Sequence, residues 1–129
     1  MAKPAIVAVI TDLLFQSRVR EQAAALGYEV RVAETPDALR DAVGADAGLL
    51  VLDLHVSGID WRDVVAAAKE RGVPVLAFGR HTEASLLREA RELGCDRAVP
   101  RSQLVEELNV ILSEAKNLAS RDTGSAPSR

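Results

Sequence analysis

Asp53 is the carboxylate on which a chemical reading of this chain turns. It closes the apolar run Leu49-Leu50-Val51-Leu52, and the loop residues His55-Val56-Ser57-Gly58 follow at once. A short unbroken apolar run suits a strand buried on both faces of a parallel sheet. An acid at the exit of such a strand lies on the carboxyl edge, where open α/β sheets hold their ligand crevice. Asp12 follows a second apolar run, residues 5–10, and Arg101 follows a short segment at Arg97-Ala98-Val99. Acid and guanidinium at one sheet edge can pair through a planar, bidentate fork. His55 and His81 fall on loops at the same edge, but no dense ligand spacing supports a transition-metal site with Asp53. Two solvated loop histidines are the simpler reading.

Composition narrows the classes of function. The chain has 129 residues, one domain's length, with 48% apolar and 27% charged residues, as in an ordinary globular protein. Aromatics make up only 3%, so the core has to be aliphatic. A net charge of −3 leaves no basic footprint for nucleic acid and no polybasic tract for a membrane surface. Cys95 stands alone, which excludes an internal disulfide and a cysteine-rich metal site. The run at 5–10 is too short for a signal-peptide core or a bilayer span. A cytoplasmic location is the expectation.

The elements that must position Asp53 read as strand and helix in alternation. Residues 5–10 form a buried strand, and Asp12 caps a helix with Leu14, Phe15, Val19, Ala23 and Leu26 facing inward, ended by Gly27. Residues 29–34 alternate polar and apolar, as a half-exposed strand should. Thr35-Pro36 starts a short helix that Gly44 ends. After the Asp53 strand, Asp60 caps a helix carrying Val64, Val65 and Ala68. Residues 73–78 are a third buried strand, with Pro74 tolerable near its start. Thr82 caps a helix with Leu86, Leu87, Ala90 and Leu93 on one face. A short strand around Arg97–Val99 comes last, and Ser102 opens a final helix with Leu104, Val105, Leu108, Ile111, Leu112 and Ala115 facing inward. The domain is expected over residues 1–118, and 119–129, which lack periodicity, as a disordered tail.

Five strand–helix units require a parallel sheet with helices on both faces, since right-handed crossovers leave few other topologies. Runs one, three and four are wholly apolar and belong in the centre; runs two and five belong at the edges. That ranking fits the order 2-1-3-4-5, whose switch point lies between strands one and three. The expected fold is a flavodoxin-like (βα)5 three-layer sandwich.

At this point the chain resembles a response-regulator receiver (CheY-like) domain, from about Ala5 to Leu118. The resemblance lies in Leu-Leu-Val-Leu-Asp at 49–53 with Gly58-Ile59-Asp60, in Val-Pro-Val-Leu at 73–76 and in Leu-Gly-Cys-Asp at 93–96. Asp12-Leu13-Leu14-Phe15 and Pro100-Arg101-Ser102 are similar to a subgroup of short, stand-alone receiver-like proteins. The resemblance implies that Asp53 is a phospho-acceptor and that Mg2+ is held by acids after strand one, by Asp53 and by the His55 backbone carbonyl. It also implies a hydroxyl after strand four and a lysine after strand five, holding the phosphoryl oxygens.

The set is degenerate here. Counting back from Gly27 puts Ile10 and Thr11 where two acids belong, and Asp12 falls one residue late. The hydroxyl position is Gly79, and the lysine position is Arg101. One missing carboxylate implies weak Mg2+ binding, and the exchange of lysine for arginine suggests that Arg101 pairs with Asp53 at rest. The function implied is a non-enzymatic phosphorelay receiver, with a histidine kinase or another signalling protein as partner and neither nucleic acid nor membrane involved. A homodimer through the last two helices and the strand between them belongs to the same picture. Because the chain ends soon after Leu118, its effect is expected to pass through a partner. The alternative is a pseudo-receiver, a protein-interaction module with no phosphoryl cycle.

Blander readings stand beside these. Asp12 serves as helix cap or metal ligand, or both, and Gly79 as backbone freedom for its loop. Residues 53–58 also read D-x-H-x-x-G, similar to a cobalamin-binding motif, but too little chain follows for that fold's further glycine signals. Cys95 reads as a small buried residue. Trp61 is either a packing anchor or an exposed contact.

Overall fold

The fold comes from a computed structural model that describes residues 4–44 and 46–124, with side chains through residue 114. Its strands are β1 (Ala5–Val9), β2 (Val30–Val32), β3 (Ala47–Asp53), β4 (Val75–Gly79) and β5 (Arg97–Pro100). They alternate with α1 (Leu13–Ala25), α2 (Pro36–Ala42), α3 (Trp61–Glu70), α4 (Ala84–Glu92) and α5 (Leu104–Gly124). All pairings are parallel, in the order β2-β1-β3-β4-β5. The topology and the edge positions of β2 and β5 are those expected from the hydrophobic pattern.

Period-two alternation explains why the central strands read as unbroken apolar runs. Val7, Val9, Leu50, Leu52, Val75 and Ala77 point to one face, where α2, α3 and α4 bring Leu39, Val64, Val65, Ala68 and Leu87. Ile6, Ala8, Val51, Leu76 and Phe78 point to the other, against Phe15 and Val19 of α1 and Leu104, Leu108 and Leu112 of α5. Each central strand buries both rows of side chains.

Helix starts follow local chemistry at three of the expected places. Asp12 accepts from the Leu14 and Phe15 amides, Thr35 from Ala38, and Asp60 from Arg62. Thr82 does not cap α4. Its N-cap is Glu83, without a side-chain capping bond, and Thr82 is exposed. Ser102 does not open α5 either; a 3-10 turn at Arg101–Gln103 precedes Leu104. The expected inward face of α1 is corrected as well. Leu14 is 57% exposed, and Gln16 is buried in its place. Counting in turns from the Asp12 cap, the buried arc centres on Phe15, Val19 and Ala23, and Leu14 falls outside it.

β4 starts at Val75, because Pro74 has no N–H for the ladder; its carbonyl still accepts from Leu50 at 2.9 Å. Val105 and Ile111 are half-buried flanks of the α5 stripe, and the side chain of Ala115 lies outside the described residues. The backbone of α5 is helical beyond Leu118, to Gly124, and residues 125–129 lie outside the described set.

Candidate functional site

Register brings the functional edge together. β1 ends with Val9 beside Leu52, Asp53 pairs with Phe78, and Gly79 with Pro100. The loops after β1, β3 and β4 and the turn after β5 therefore leave from one edge. They carry Asp12, His55, Glu83 and Arg101.

Asp53 is only 4% exposed, one of two buried polar or charged side chains among the described residues. Its Oδ1 accepts the His55 backbone N–H at 2.8 Å. Burial pushes its carboxyl above the ordinary aspartate range; that N–H, the His55 ring and Arg101 pull it down, and the like charge of Asp12 adds to the rise. Asp12, His55 and Arg101 are thus all electrostatically coupled to Asp53. Asp12 itself is exposed, with Oδ1 committed to its capping bonds.

The resting Arg101–Asp53 ion pair expected from the sequence is not formed. No ion pair joins them among the described residues, and the Arg101 guanidinium lies over the Phe15 ring, 5.1 Å from its centroid. Phe15 in turn packs on Phe78, the strand neighbour of Asp53. A weakly hydrated guanidinium stacks favourably on an aromatic face. Its Nε is buried and has no hydrogen-bond partner among the described residues.

Gly79 is buried, and a Cβ there would sit 3.5 Å from both Leu54 and Leu87. Space exists for a small side chain, but none is present to offer a hydroxyl. Thr11 accepts from the Ser57 amide at 3.4 Å, bracing the β3–α3 loop against the β1–α1 loop.

Several partners escape sequence reasoning. Gln16 donates to the Ile10 carbonyl at 2.6 Å and to Glu34 at 2.9 Å, filling the space under the β1 exit. The His55 ring is not simply solvated: its Nε2 lies 2.6 Å from Glu83 Oε1. Trp61 is a packing anchor, 7% exposed, with the Arg62 guanidinium 4.5 Å above its ring. His81 is exposed, and Cys95 sits before β5, at the opposite end of the sheet.

No family model and no curated protein matches the sequence. Solved structures do match in fold. A response-regulator receiver domain from Clostridium thermocellum superposes with a TM-score of 0.73 at 15% identity, covering 93% of this chain and 98% of that one. A CheY-like receiver domain from Methanospirillum hungatei gives 0.71 at 17% identity, over 90% and 98%. A response regulator from Burkholderia pseudomallei, solved with a phosphorylated aspartic acid, calcium ion and citrate, gives 0.69 at 16% identity, over 91% and 73%.

The chain has the receiver fold of response regulators.

In the receiver frame the acidic notch is short of metal donors. Asp12 and Asp53 supply carboxylates and His55 a carbonyl, while Ile10 and Thr11 offer no charge. No group of three or more His, Cys, Asp or Glu side chains suited to a metal forms among the described residues. One oxygen on each carboxylate is already hydrogen-bonded. Two carboxylates and one carbonyl fall short of the six positions around an octahedral Mg2+. No helix among the described residues is long and apolar enough to cross a membrane.

Proposed function

We propose that this chain is a phosphorelay receiver with a degenerate phospho-acceptor site at Asp53. The observation that carries the reading is a nearly buried carboxylate at the carboxyl end of the central strand of a receiver fold, with one oxygen held by the His55 N–H. Its other oxygen makes no hydrogen bond with the described residues and serves as nucleophile. Attack on the phosphorus of a phosphohistidine forms an acyl phosphate at Asp53 and breaks the P–N bond; the leaving imidazole takes up a proton. A histidine kinase, or another phosphohistidine-bearing signalling protein, is the partner this chemistry requires.

Asp12, Asp53 and the His55 carbonyl would hold Mg2+, which when bound neutralises charge on the phosphoryl oxygens. Arg101 takes the position of the usual lysine. Its unpartnered Nε leaves it free to turn from Phe15 toward an added anion. Gly79 contributes backbone only. The chain acts as a signalling module rather than an enzyme, in the cytoplasm, without nucleic acid, and pairs through α4, β5 and α5 if it dimerises.

The second reading is a pseudo-receiver that binds partners without a phosphoryl cycle. The absent hydroxyl at Gly79 and the seating of Arg101 on Phe15 favour it. Amide spectra with Mg2+ and beryllofluoride separate the two. Shifts at Asp53, Gly79 and Arg101 that vanish in Asp53→Asn are expected for the receiver. An unchanged spectrum assigns the chain to the pseudo-receivers.

A further inference from the structure

We infer that His55 is the positioning residue that couples the state of Asp53 to the first turn of α4. One residue makes both contacts. Its backbone N–H donates to Asp53 Oδ1 at 2.8 Å, and its ring meets Glu83 Oε1 at 2.6 Å. Glu83 is the N-cap of α4, yet its carboxylate makes no capping bond. Engaged with His55, that carboxylate is unavailable to the free N–H groups at the helix start, where a negative charge is otherwise favoured.

α4 therefore has two arrangements available. With His55 held by Asp53, Glu83 is clasped toward the β3–α3 loop. When Asp53 Oδ1 stops accepting, the loop shifts, and Glu83 is released toward its own helix. The far side of α4 stays anchored, because Arg62 on α3 reaches Glu89 with Nε at 2.9 Å and Nη2 at 2.7 Å. Motion is thus confined to the N-terminal turn. Gly79 contributes no side chain to compete as a carrier. The other route, packing of Leu54 near Leu87 across Gly79, is retained when His55 is replaced, so the two can be told apart.

The inference rests on Asp53 being the site proposed above, but not on its phosphorylation. The test uses Asp53→Ala, which removes the acceptor of the His55 N–H, as the perturbation in three backgrounds of the full chain: unaltered, His55→Ala and Glu83→Ala. Amide chemical shifts are the readout. In the unaltered background, Asp53→Ala is expected to displace the amides of Glu83–Leu87 along with those of Leu54–Val56. In the other two, the α4 displacement is expected to fall roughly threefold or more, as for a pair that couples directly, while the displacement at Leu54 persists. If one variant fails to fold, the other serves alone. An α4 displacement of undiminished size in a folded His55→Ala or Glu83→Ala background overturns the inference, as does an α4 that ignores Asp53→Ala from the start. A silent beryllofluoride experiment with these shifts intact would remove phosphorylation and leave the coupling standing.

Discussion

Replacing Asp53 by Asn should stabilise the protein near neutral pH. Asp53 is 4% exposed and accepts one hydrogen bond in return for the burial of a charge. The desolvation cost of such an ion is several kcal/mol after relaxation, and a hydrogen bond to a charged group returns about 1.5–3 kcal/mol. Asparagine keeps an oxygen for the His55 N–H and removes both the buried charge and its repulsion from Asp12. The net gain is about 1–2 kcal/mol, or about 4–8 °C in Tm for a chain of this length.

The sign of the pH dependence follows from the raised carboxyl pKa. Stability conferred by a group with a raised pKa is present below its unfolded value and lost as pH rises through the folded one. The wild type is therefore penalised above the elevated pKa and relieved below the ordinary carboxylate value of about 3.9. Urea or thermal unfolding at neutral pH and at progressively lower pH should show the advantage of Asp53→Asn shrinking toward zero as the solution is acidified. An asparagine variant less stable than wild type at neutral pH, or an advantage indifferent to pH, would refute the claim that desolvation dominates at Asp53.

Other substitutions test the frame. Gln16→Ala removes the donor that satisfies the Ile10 carbonyl and should cost about 1–3 kcal/mol in urea unfolding. Thr35→Ala should cost about 1 kcal/mol through its lost capping bond. Thr82→Ala, at an exposed position that caps nothing, should stay within about 0.5 kcal/mol. Burial pushes the Cys95 thiol up to about 11, so a thiolate-selective reagent at pH 8 should label the native protein slowly and the urea-unfolded protein fast.

The sheet was legible because burial on both faces leaves an unmistakable pattern. Residues 49–52 can be continuously apolar only where helices cover both sides, and 29–34 alternate because β2 lies at an edge. Helix boundaries were less legible where the cap is a weak residue in a loop. Thr82 is the better capping type, but Glu83 takes the position, its carboxylate drawn to His55. Leu14 misleads for a related reason: residue type suggested burial, but the phase of α1 is set by the Asp12 cap, which turns Leu14 to solvent and Gln16 inward.

At the site, strand ends were readable and side-chain partners were not. Asp53 and Arg101 reach one edge because parallel strands share a direction, and that follows from the element order. Whether a guanidinium there turns to a carboxylate or to a ring depends on what lies within reach, and here Phe15 wins. Local patterning contains no trace of a contact such as His55 with Glu83, 28 positions apart. These unreadable contacts also tie down the positions that the proposed receiver reading takes as degenerate. Ile10 offers no acid, and its carbonyl is secured by Gln16. Gly79 lacks a hydroxyl, yet the loop beside it is tied to α4 through His55. Among the described residues Asp53 is a buried carboxylate with no ion pair, and Arg101 a cation whose Nε has no hydrogen-bond partner. If Asp53 is the acceptor proposed above, an anion added there would offer that donor the partner it lacks, and the beryllofluoride response should then register at Arg101 as well as at the carboxylate itself.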